Sequence, residues 1–519
     1  MSEVGIILFL VVFATAVATG ARRWRIPAPS LLVLVSLAVA LIPGAPVLQV
    51  APEIIGLVVL PPLLYAAAEE LSLRDLRVVW RPVTALAVGL VLASAAVVGA
   101  LAVALTPLPA SMAFVLGAVL ASTDPVAVTA LGRRLALPGR VQALVQAESL
   151  FNDATSLVLF KVAVAVAVAG GAVSWQAAGG EFFLLAGGGS VIGAGIALVV
   201  TLIRRRTTDP VLETVIALVT PYAAYVLAEG AHTSGVTAVV VAGVVISGTR
   251  HRLTDARIRL QLNAVYAVVV FLLESVVFSI IGLELPALVR ELPSGTGLWP
   301  LQALAIAATL IGLRVLWMLP LSIAFKPTNR RVSWRAAAVV SWAGTRGVLP
   351  LAAALSIPLI AADGSPLPGR ALVLVLTTAV VIFTLVVQGL SLAPLVNRSG
   401  LALEPEHTAR EEARTRATLA RTALDHVDRL ADLETTSDVV LERVRRNLGA
   451  RLQQNEELGG QGNDTGALLK AYYQVRREVI TVQTTELRRL YDEHQISDAT
   501  RRQLQHDLDL EETGLPNIP

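Results

Sequence analysis

The sequence predicts an all-α polytopic membrane protein with a soluble helical C-terminal tail, and three observations carry that prediction. Hydrophobic residues make up 55% of the 519 residues, and the mean hydropathy is +0.68, which is too apolar for an ordinary water-soluble domain. Apolar runs of about 18 or more residues recur, each long enough to cross a bilayer. The alternating pattern of membrane strands is absent, so we expect the spanning segments to be helices.

Thirteen apolar runs divide residues 1–400. The first lies within MSEVGIILFLVVFATAVATGARRWR, where the arginines follow the apolar stretch. That order is the reverse of a signal peptide, so we expect a retained first span with its N-terminus outside. The other runs lie at about 29–46, 53–71, 83–105, 111–131, 142–169, 182–203, 211–229, 234–248, 262–285, 299–325, 334–360 and 370–396.

Loop charges predict the orientation of these spans. The loops after odd-numbered runs hold nearly all of the loop arginines and lysines, whereas the loops after even-numbered runs hold Arg290 and Arg370. Positive charge marks the cytoplasmic side of a membrane. We therefore expect a multi-pass plasma-membrane protein whose C-terminal tail is cytoplasmic.

Residues 401–519 differ in character from the transmembrane domain at 1–400. They carry more acidic than basic side chains, whereas residues 1–400 carry more basic ones. Helix-favouring stretches are separated by GGQGNDTG (459–466), and Ser497 is the expected N-cap of a last helix. The tail sequence contains no phosphate-loop, metal-ligand or nucleic-acid motif, so we expect a cytoplasmic regulatory or dimer-supporting domain. The absence of cysteine from the whole sequence excludes disulfides and cysteine-based metal sites.

Charged side chains inside the apolar runs are candidates for function, because each costs roughly 2.5–3.5 kcal/mol to insert. Those well inside their runs are Asp124, Glu148, Asp153, Arg314 and Arg346, and those inside or nearer an end are Lys161, Glu229, Glu274 and Glu284. Glu69 and Glu70 lie at the cytoplasmic end of the third run, where interfacial charge is ordinary.

Two runs are predicted to be interrupted helices. In run five, Pro125 disfavours helical geometry at Asp124, and in run twelve Gly344, Gly347 and Pro350 surround an arginine. The two runs are seven apart, an odd number, so runs 1–6 and 8–13 are expected to be two six-helix repeats in opposite orientation. Paired interrupted helices in inverted repeats indicate a transport site near the membrane midplane.

Run six contains AESLFNDATSLVLFKV (147–162), which carries the candidate chemistry. Glu148 and Asn152 are four residues apart and share one helix face, and Asp153 lies about 100° further round. We expect Glu148 to form a structural salt bridge with Arg346. Asp153 then remains to bind either a proton or a hard monovalent cation, for which oxygen ligands are suited.

Further ligands are expected from the hydroxyl, carbonyl or carboxylate groups of Thr123, Asp124 and Ser149. Lys161 lies roughly 12 Å further along the helix toward the outside. It is interpreted either as a counter-ion in the external path or as a lysine whose ammonium reaches the interface.

Three segments resemble the signatures of a known family. STDPVAV (122–128), ESLFNDATSLVLF (148–160) and WAGTRGVLPLAAALS (342–356) are similar to segments of the sodium/proton antiporters of the monovalent cation/proton antiporter-1 family, bacterial branch. The resemblance covers roughly residues 5–398.

The resemblance implies a homodimer with a dimerisation domain and a six-helix core, crossing interrupted helices, and elevator-like exchange of Na⁺ for H⁺, with Li⁺ as a further cation. No cofactor and no nucleic-acid partner are expected. The residues matched to the family's motifs are Asn152 and Asp153, Glu148, Arg346, Thr123 and Asp124. An Asn-Asp pair implies electroneutral one-for-one exchange. Where many members have an acidic residue in run three, PPLLYAAAEEL (61–71) has Ala66, and Glu69 or Glu70 lies about one turn further on.

Four other functions fit parts of the sequence. A K⁺/H⁺ antiporter of the same fold differs only in its cation. A channel would need a pore, and the sequence has no filter-like repeat. An intramembrane aspartyl protease would need Asp124 and Asp153 to share a proton as a dyad, which the asparagine beside Asp153 argues against. A signalling receptor would need an enzymatic or nucleotide motif in the tail, and none is visible.

Overall fold

The computed structural model describes the chain as helices joined by short connections. The described residues are 3–24, 28–42, 52–71, 73–124, 139–169, 175–207, 209–253, 256–293, 296–324, 330–399, 405–432, 438–460, 465–493, 495, 498–513 and 515. Pro125, Ser497 and residues 461–464 of the predicted tail break lie outside them. Two compact units are present, Met1–Ala402 and Leu403–Pro519.

The first unit contains sixteen of the described helices. They are α1 (Glu3–Trp24), α2 (Ala28–Ala40), α3 (Pro52–Val58), α4 (Leu60–Glu70), α5 (Leu73–Thr84), α6 (Val91–Leu105), α7 (Ala110–Ala121), α8 (Gly139–Val168), α9 (Trp175–Arg204), α10 (Pro210–Gly230), α11 (Gly235–Leu253), α12 (Ala256–Arg290), α13 (Trp299–Ala324), α14 (Arg330–Trp342), α15 (Val348–Leu355) and α16 (Arg370–Ser399). A π-helical turn at Ala85–Leu90 joins α5 to α6.

The described residues form an all-helical fold, as the sequence predicts. Among them, seven helices are long and apolar enough to cross a membrane. The remaining apolar helices are shorter, and two of them, α7 and α15, end or begin at an interruption. Every predicted apolar run contains a described helix. The number of thirteen spans and the two inverted repeats stay predictions.

Helix packing divides the first unit into two bundles. Bundle 1 comprises α1–α4 and α9–α12, whose helices pack chiefly on one another. Bundle 2 comprises α5–α8 and α13–α16, with α7 packed between α6 and α8. Contacts between the bundles are fewer and run mainly through α8, α12 and α16. The packing within each bundle is therefore more extensive than the packing between them.

The second unit consists of four helices in two pairs. They are α17 (Pro405–Asp432), α18 (Asp438–Gly460), α19 (Thr465–Asp492) and α20 (Asp498–Thr513). Arg445 on α18 pairs with Asp428 on α17 at 2.5 Å, and Arg476 on α19 pairs with Glu511 on α20. These side chains are exposed, so the ion pairs add little to stability.

Candidate functional site

The site begins where α7 stops. This helix is almost entirely buried and ends at Ala121, and Ser122 continues in extended geometry with φ −73° and ψ 153°. A helix that ends in the interior leaves its last carbonyl groups without helical partners. Such groups have to be satisfied by other parts of the protein, because water is excluded there.

One face of α8 supplies those partners. Ser149 Oγ donates to the Thr123 carbonyl at 2.7 Å, and Ser156 Oγ donates to the Ala118 carbonyl at 2.7 Å. Asn152 Nδ2 donates to Thr123 Oγ1 at 2.6 Å, and Asn152 Oδ1 accepts from the Thr123 amide at 3.4 Å. Residues 149, 152 and 156 are spaced to share one helix face. The polar residues of α8 are therefore fixed against the end of α7.

The second interruption meets the first. α14 ends at Trp342 and α15 begins at Val348, with non-helical backbone between them. The Asp124 amide donates to the Thr345 carbonyl at 2.8 Å, and Thr345 Oγ1 donates to the Asp124 carbonyl at 2.8 Å. The two interrupted helices predicted from the sequence are thus joined at their breaks by reciprocal hydrogen bonds.

Two charged side chains lie at the helix ends of this crossing. Arg346 Nε donates to the Leu120 carbonyl at 2.8 Å, so its positive charge lies at the C-terminal end of α7. The carboxylate of Asp124 lies against Gly347, immediately before α15, in the space that a Cβ atom at Gly347 would occupy. A cation at a helix C-terminus and an anion at a helix N-terminus each interact favourably with the helix dipole.

Glu148 forms its salt bridge with Arg314, not with Arg346 as predicted. Arg314 Nη1 and Nη2 donate to the two carboxylate oxygens of Glu148 at 2.5 and 2.8 Å, and both side chains are buried. Arg346 instead donates to backbone carbonyls, including that of Gly344 at 2.8 Å. The physical reason is that the end of α7 presents carbonyl groups that need a donor, and Arg346 is the guanidinium beside them.

Asp153 lies on α8 next to this crossing, with 5% of its surface exposed. The side chain of Ser122 lies beside its carboxyl group, and its charged neighbours are Asp124, Glu148 and Arg346. Ser122 was not among the predicted site residues. Its position in the sequence could have indicated it, because Ser122 carries a hydroxyl group directly after the last residue of an interrupted helix.

Four predicted candidates take no part in the hydrogen bonds of the crossing. Lys161 forms an ion pair with Glu229. Glu69 accepts a hydrogen bond from Tyr65 at 3.4 Å, one turn earlier on α4, and Glu70 is exposed. Glu274 on α12 belongs to bundle 1 and has Asp124 as a charged neighbour. The structure therefore brings together Thr123, Asp124, Glu148, Ser149, Asn152, Asp153, Arg314 and Arg346.

A family model described as "Sodium/hydrogen exchanger, transmembrane" matches residues 7–398. The chain belongs to the sodium/hydrogen exchanger family. The exchanger is 32% identical to an "uncharacterized Na⁺/H⁺ exchanger" of Mycobacterium bovis, over 99% of this chain and 98% of the relative. It is 31% identical to the sodium, potassium, lithium and rubidium/H⁺ antiporter of Bacillus subtilis, over 70% of this chain and 56% of the relative.

A solved structure gives the same fold. The sodium proton antiporter MjNhaP1 of Methanocaldococcus jannaschii superposes on the exchanger with a TM-score of 0.63 at 20% identity. The match covers 76% of this chain and 98% of that one. The resemblance to cation/proton antiporters inferred from the sequence is confirmed, and the family is one of transporters. Membership of a transporter family argues against an intramembrane aspartyl protease.

Proposed function

We propose that this protein exchanges Na⁺ for H⁺ one for one across the plasma membrane, with Asp153 as the group that carries either ion. The observation behind this proposal is a buried carboxyl group on α8 next to two interrupted helices that meet at Asp124 and Thr345. Interrupted helices that meet in the interior provide backbone and side-chain oxygens for a cation without water. Family membership supports cation/proton antiport as the reaction.

The charges that bundle 2 carries at the crossing support electroneutral exchange. Glu148 is neutralised by Arg314 in a bidentate pair. Arg346 and Asp124 carry opposite charges and lie at the ends of α7 and α15. Asp153 then leaves this group with one net negative charge, which a single Na⁺ or a single proton neutralises.

That charge count also explains why transport is coupled. Moving an uncompensated carboxylate through a low-dielectric barrier is costly. Bundle 2 is therefore expected to cross the barrier when Asp153 holds a proton or a cation, and to stay on one side when it holds neither. Exchange follows, because bundle 2 carries a cation in one direction and a proton in the other. No cofactor is needed.

The cation ligands proposed beside Asp153 are oxygen atoms of the crossing. Thr123 and Ser149 contribute hydroxyl groups, and Asp124 contributes carboxylate or carbonyl oxygen. Asn152 orients Thr123 through two hydrogen bonds. Such a mixed set of hard oxygen ligands suits an alkali cation, which loses most of its hydration shell on binding.

Replacing Asp153 tests the proposal. Asp153→Asn keeps the shape of the side chain, but the amide neither takes up a proton nor supplies the negative charge that balances a cation. We therefore expect sodium-driven proton flux in proteoliposomes to fall to background, while the protein still elutes as a folded species. The matched control is Asp363→Asn, the same change at a fully exposed loop residue, which should leave the flux unchanged. Normal flux from the Asp153→Asn protein would refute the role.

Exchange of K⁺ for H⁺ is the second candidate. It is favoured by the Bacillus subtilis relative, whose name includes potassium. Flux measured in the same vesicles with K⁺, Li⁺ or Na⁺ as the driving cation decides between the two.

The assembly is proposed to be a homodimer in which bundle 2 moves against bundle 1 as an elevator. The division of the first unit into two bundles supports this proposal, because the interrupted helices and Asp153 all lie in bundle 2. The N-terminus is proposed to lie outside and the tail in the cytoplasm, on the evidence of the loop charges.

A further inference from the structure

Lys161 and Glu229 carry charges that the exchange chemistry does not use. Lys161 Nζ forms an ion pair with Glu229 Oε1, and the side chains are 26% and 36% exposed. Lys161 lies on α8, eight residues beyond Asp153, or about 12 Å along the helix. Glu229 lies in the last turn of α10. The ion pair therefore connects bundle 2, which carries the candidate site, to bundle 1.

The carboxylate of Glu229 is fixed on bundle 1 by a second contact. Its Oε1 atom accepts a hydrogen bond from the Gly235 amide at 2.9 Å, at the first residue of α11. Amides at a helix N-terminus hold carboxylates favourably. Gly235 makes this approach possible, since a Cβ atom there would lie 2.8 Å from Glu229 Oε1 and 2.7 Å from the Tyr225 ring. The carboxylate is thus held in place from its own bundle.

Tyr225 provides a further contact for Lys161 on bundle 1. The Lys161 ammonium lies 5.8 Å from the centroid of the Tyr225 ring, within the range of a cation–π contact. Tyr225 precedes Glu229 by four residues, so both side chains lie on one face of α10. Bundle 1 therefore presents a carboxylate and an aromatic ring to a single ammonium group on bundle 2.

The side-chain hydrogen bonds of two other pairs of described residues stay within one bundle. Tyr266 on α12 donates to the Ala217 carbonyl on α10 within bundle 1, and Gln302 on α13 donates to the Leu105 carbonyl on α6 within bundle 2. The Lys161–Glu229 ion pair crosses from one bundle to the other. A shift of α8 by one helical turn, about 5.4 Å, would carry Lys161 out of reach of Glu229.

We propose that Lys161 and Glu229 form a latch that holds the two bundles in the arrangement of this structure and opens in every transport cycle. This inference rests on the proposed function, because it assumes that bundle 2 moves against bundle 1. The ion pair stabilises one arrangement over the other, so it sets how the protein divides between them. By the loop charges, the latch lies toward the outer face.

Reversible cross-linking tests the latch directly. The chain contains no cysteine, so Lys161→Cys with Glu229→Cys can be introduced and joined by a bifunctional methanethiosulfonate reagent. In proteoliposomes we expect the cross-link to lower sodium-driven proton flux by about tenfold or more, since the bundle motion limits turnover. A reducing agent should restore the flux. The control pair is Leu105→Cys with Gln302→Cys, which lies within bundle 2 and should keep its flux after cross-linking.

Charge variants give a second, independent measurement. Lys161→Met should change the apparent KM for Na⁺ by about threefold in opposite directions on the two faces of the membrane, because the affinity from each side scales with the population of the state open to it. Lys161→Arg should keep both values. A general loss of structure would not move the two values in opposite directions.

The outcomes separate the two proposals. Cross-linked protein that exchanges as fast as its reduced form overturns the latch and leaves the proposed function intact. If the reduced cysteine pair is inactive, the charge variants decide whether the latch exists. In that case, equal KM values for Na⁺ in Lys161→Met and the unaltered chain overturn the latch. Absence of exchange by the unaltered chain with every alkali cation would remove the proposed function itself.

Discussion

Arg314 and Arg346 are two buried arginines near one buried glutamate, and hydrogen-bond geometry decides which of them pairs with it. Arg314 meets Glu148 with two parallel N–H···O bonds, the arrangement that makes arginine effective at a buried carboxylate. Arg346 has its donors on backbone carbonyls. Removing one partner of a buried pair strands the other charge, which costs more than losing the pair as a whole.

A double-variant comparison tests that assignment. Arg314→Met should destabilise the protein by about 3–5 kcal/mol and lower its thermal midpoint in detergent, because Glu148 is left buried and unpaired. Adding Glu148→Gln should recover most of the loss. The matched comparison is Arg346→Met with and without Glu148→Gln, where little recovery is expected. Equal recovery in both backgrounds would show that the glutamate is shared between the arginines.

At the scale of the helical elements, the crossing of the two interruptions depends on close approach at Gly347. Asp124 occupies the space of a Cβ atom there, directly before α15. The reciprocal hydrogen bonds between Asp124 and Thr345 hold the two breaks in register. Any side chain at residue 347 therefore has to displace the Asp124 carboxylate from the end of α15.

Gly347→Ala is expected to lower exchange by roughly tenfold or more, because small displacements of a positioned group have large effects on rate. The control is Gly312→Ala on α13, where an added Cβ atom meets nothing within 4 Å. Both variants are assayed for flux in proteoliposomes after their yield of folded protein has been matched. Unchanged flux in Gly347→Ala would mean that the position of Asp124 does not matter for exchange.

At the scale of the whole molecule, the proposed transport depends on competition between two ions for one carboxyl group. A proton that occupies Asp153 excludes Na⁺, so the apparent KM for Na⁺ should rise as the pH falls. In the limit where protonation dominates, it should rise by about tenfold for each pH unit, by mass action. Initial rates at saturating and limiting Na⁺ across a pH series measure this, with the maximal rate as the internal control. A KM that stays constant across the series would rule out a shared site.

Much of the fold could be predicted from sequence, because membrane helices obey local rules. A segment such as α10, with Asp209 as its N-cap and Pro210 at its first position, is mostly apolar, and a helix satisfies its backbone hydrogen bonds within the segment. The interruptions near Asp124 and Arg346 could be predicted because Pro and Gly act on the backbone locally. The site residues on α8 could be identified because ionisable groups are costly in an apolar segment.

Pairing between distant segments could not be predicted in the same way. Arg314 and Arg346 are both buried arginines in apolar runs. Nothing in the sequence around either residue indicates that Arg346 donates to the Leu120 carbonyl on α7. Likewise, nothing local links Lys161 to Glu229, which lie 68 residues apart on helices of different bundles. The predicted site also lacked Ser122, which lies beside Asp153 in the structure.

The sequence by itself determined that the chain forms apolar helices, where two of them break, and which segment carries the buried carboxyl groups. These follow from the cost of exposing backbone and charge to an apolar environment, which acts on each segment separately. The tertiary structure alone decided which arginine neutralises Glu148, and that Lys161 reaches from one bundle to the other. Those choices depend on distances and directions between side chains that are far apart in the chain, and the packing of the helices sets them.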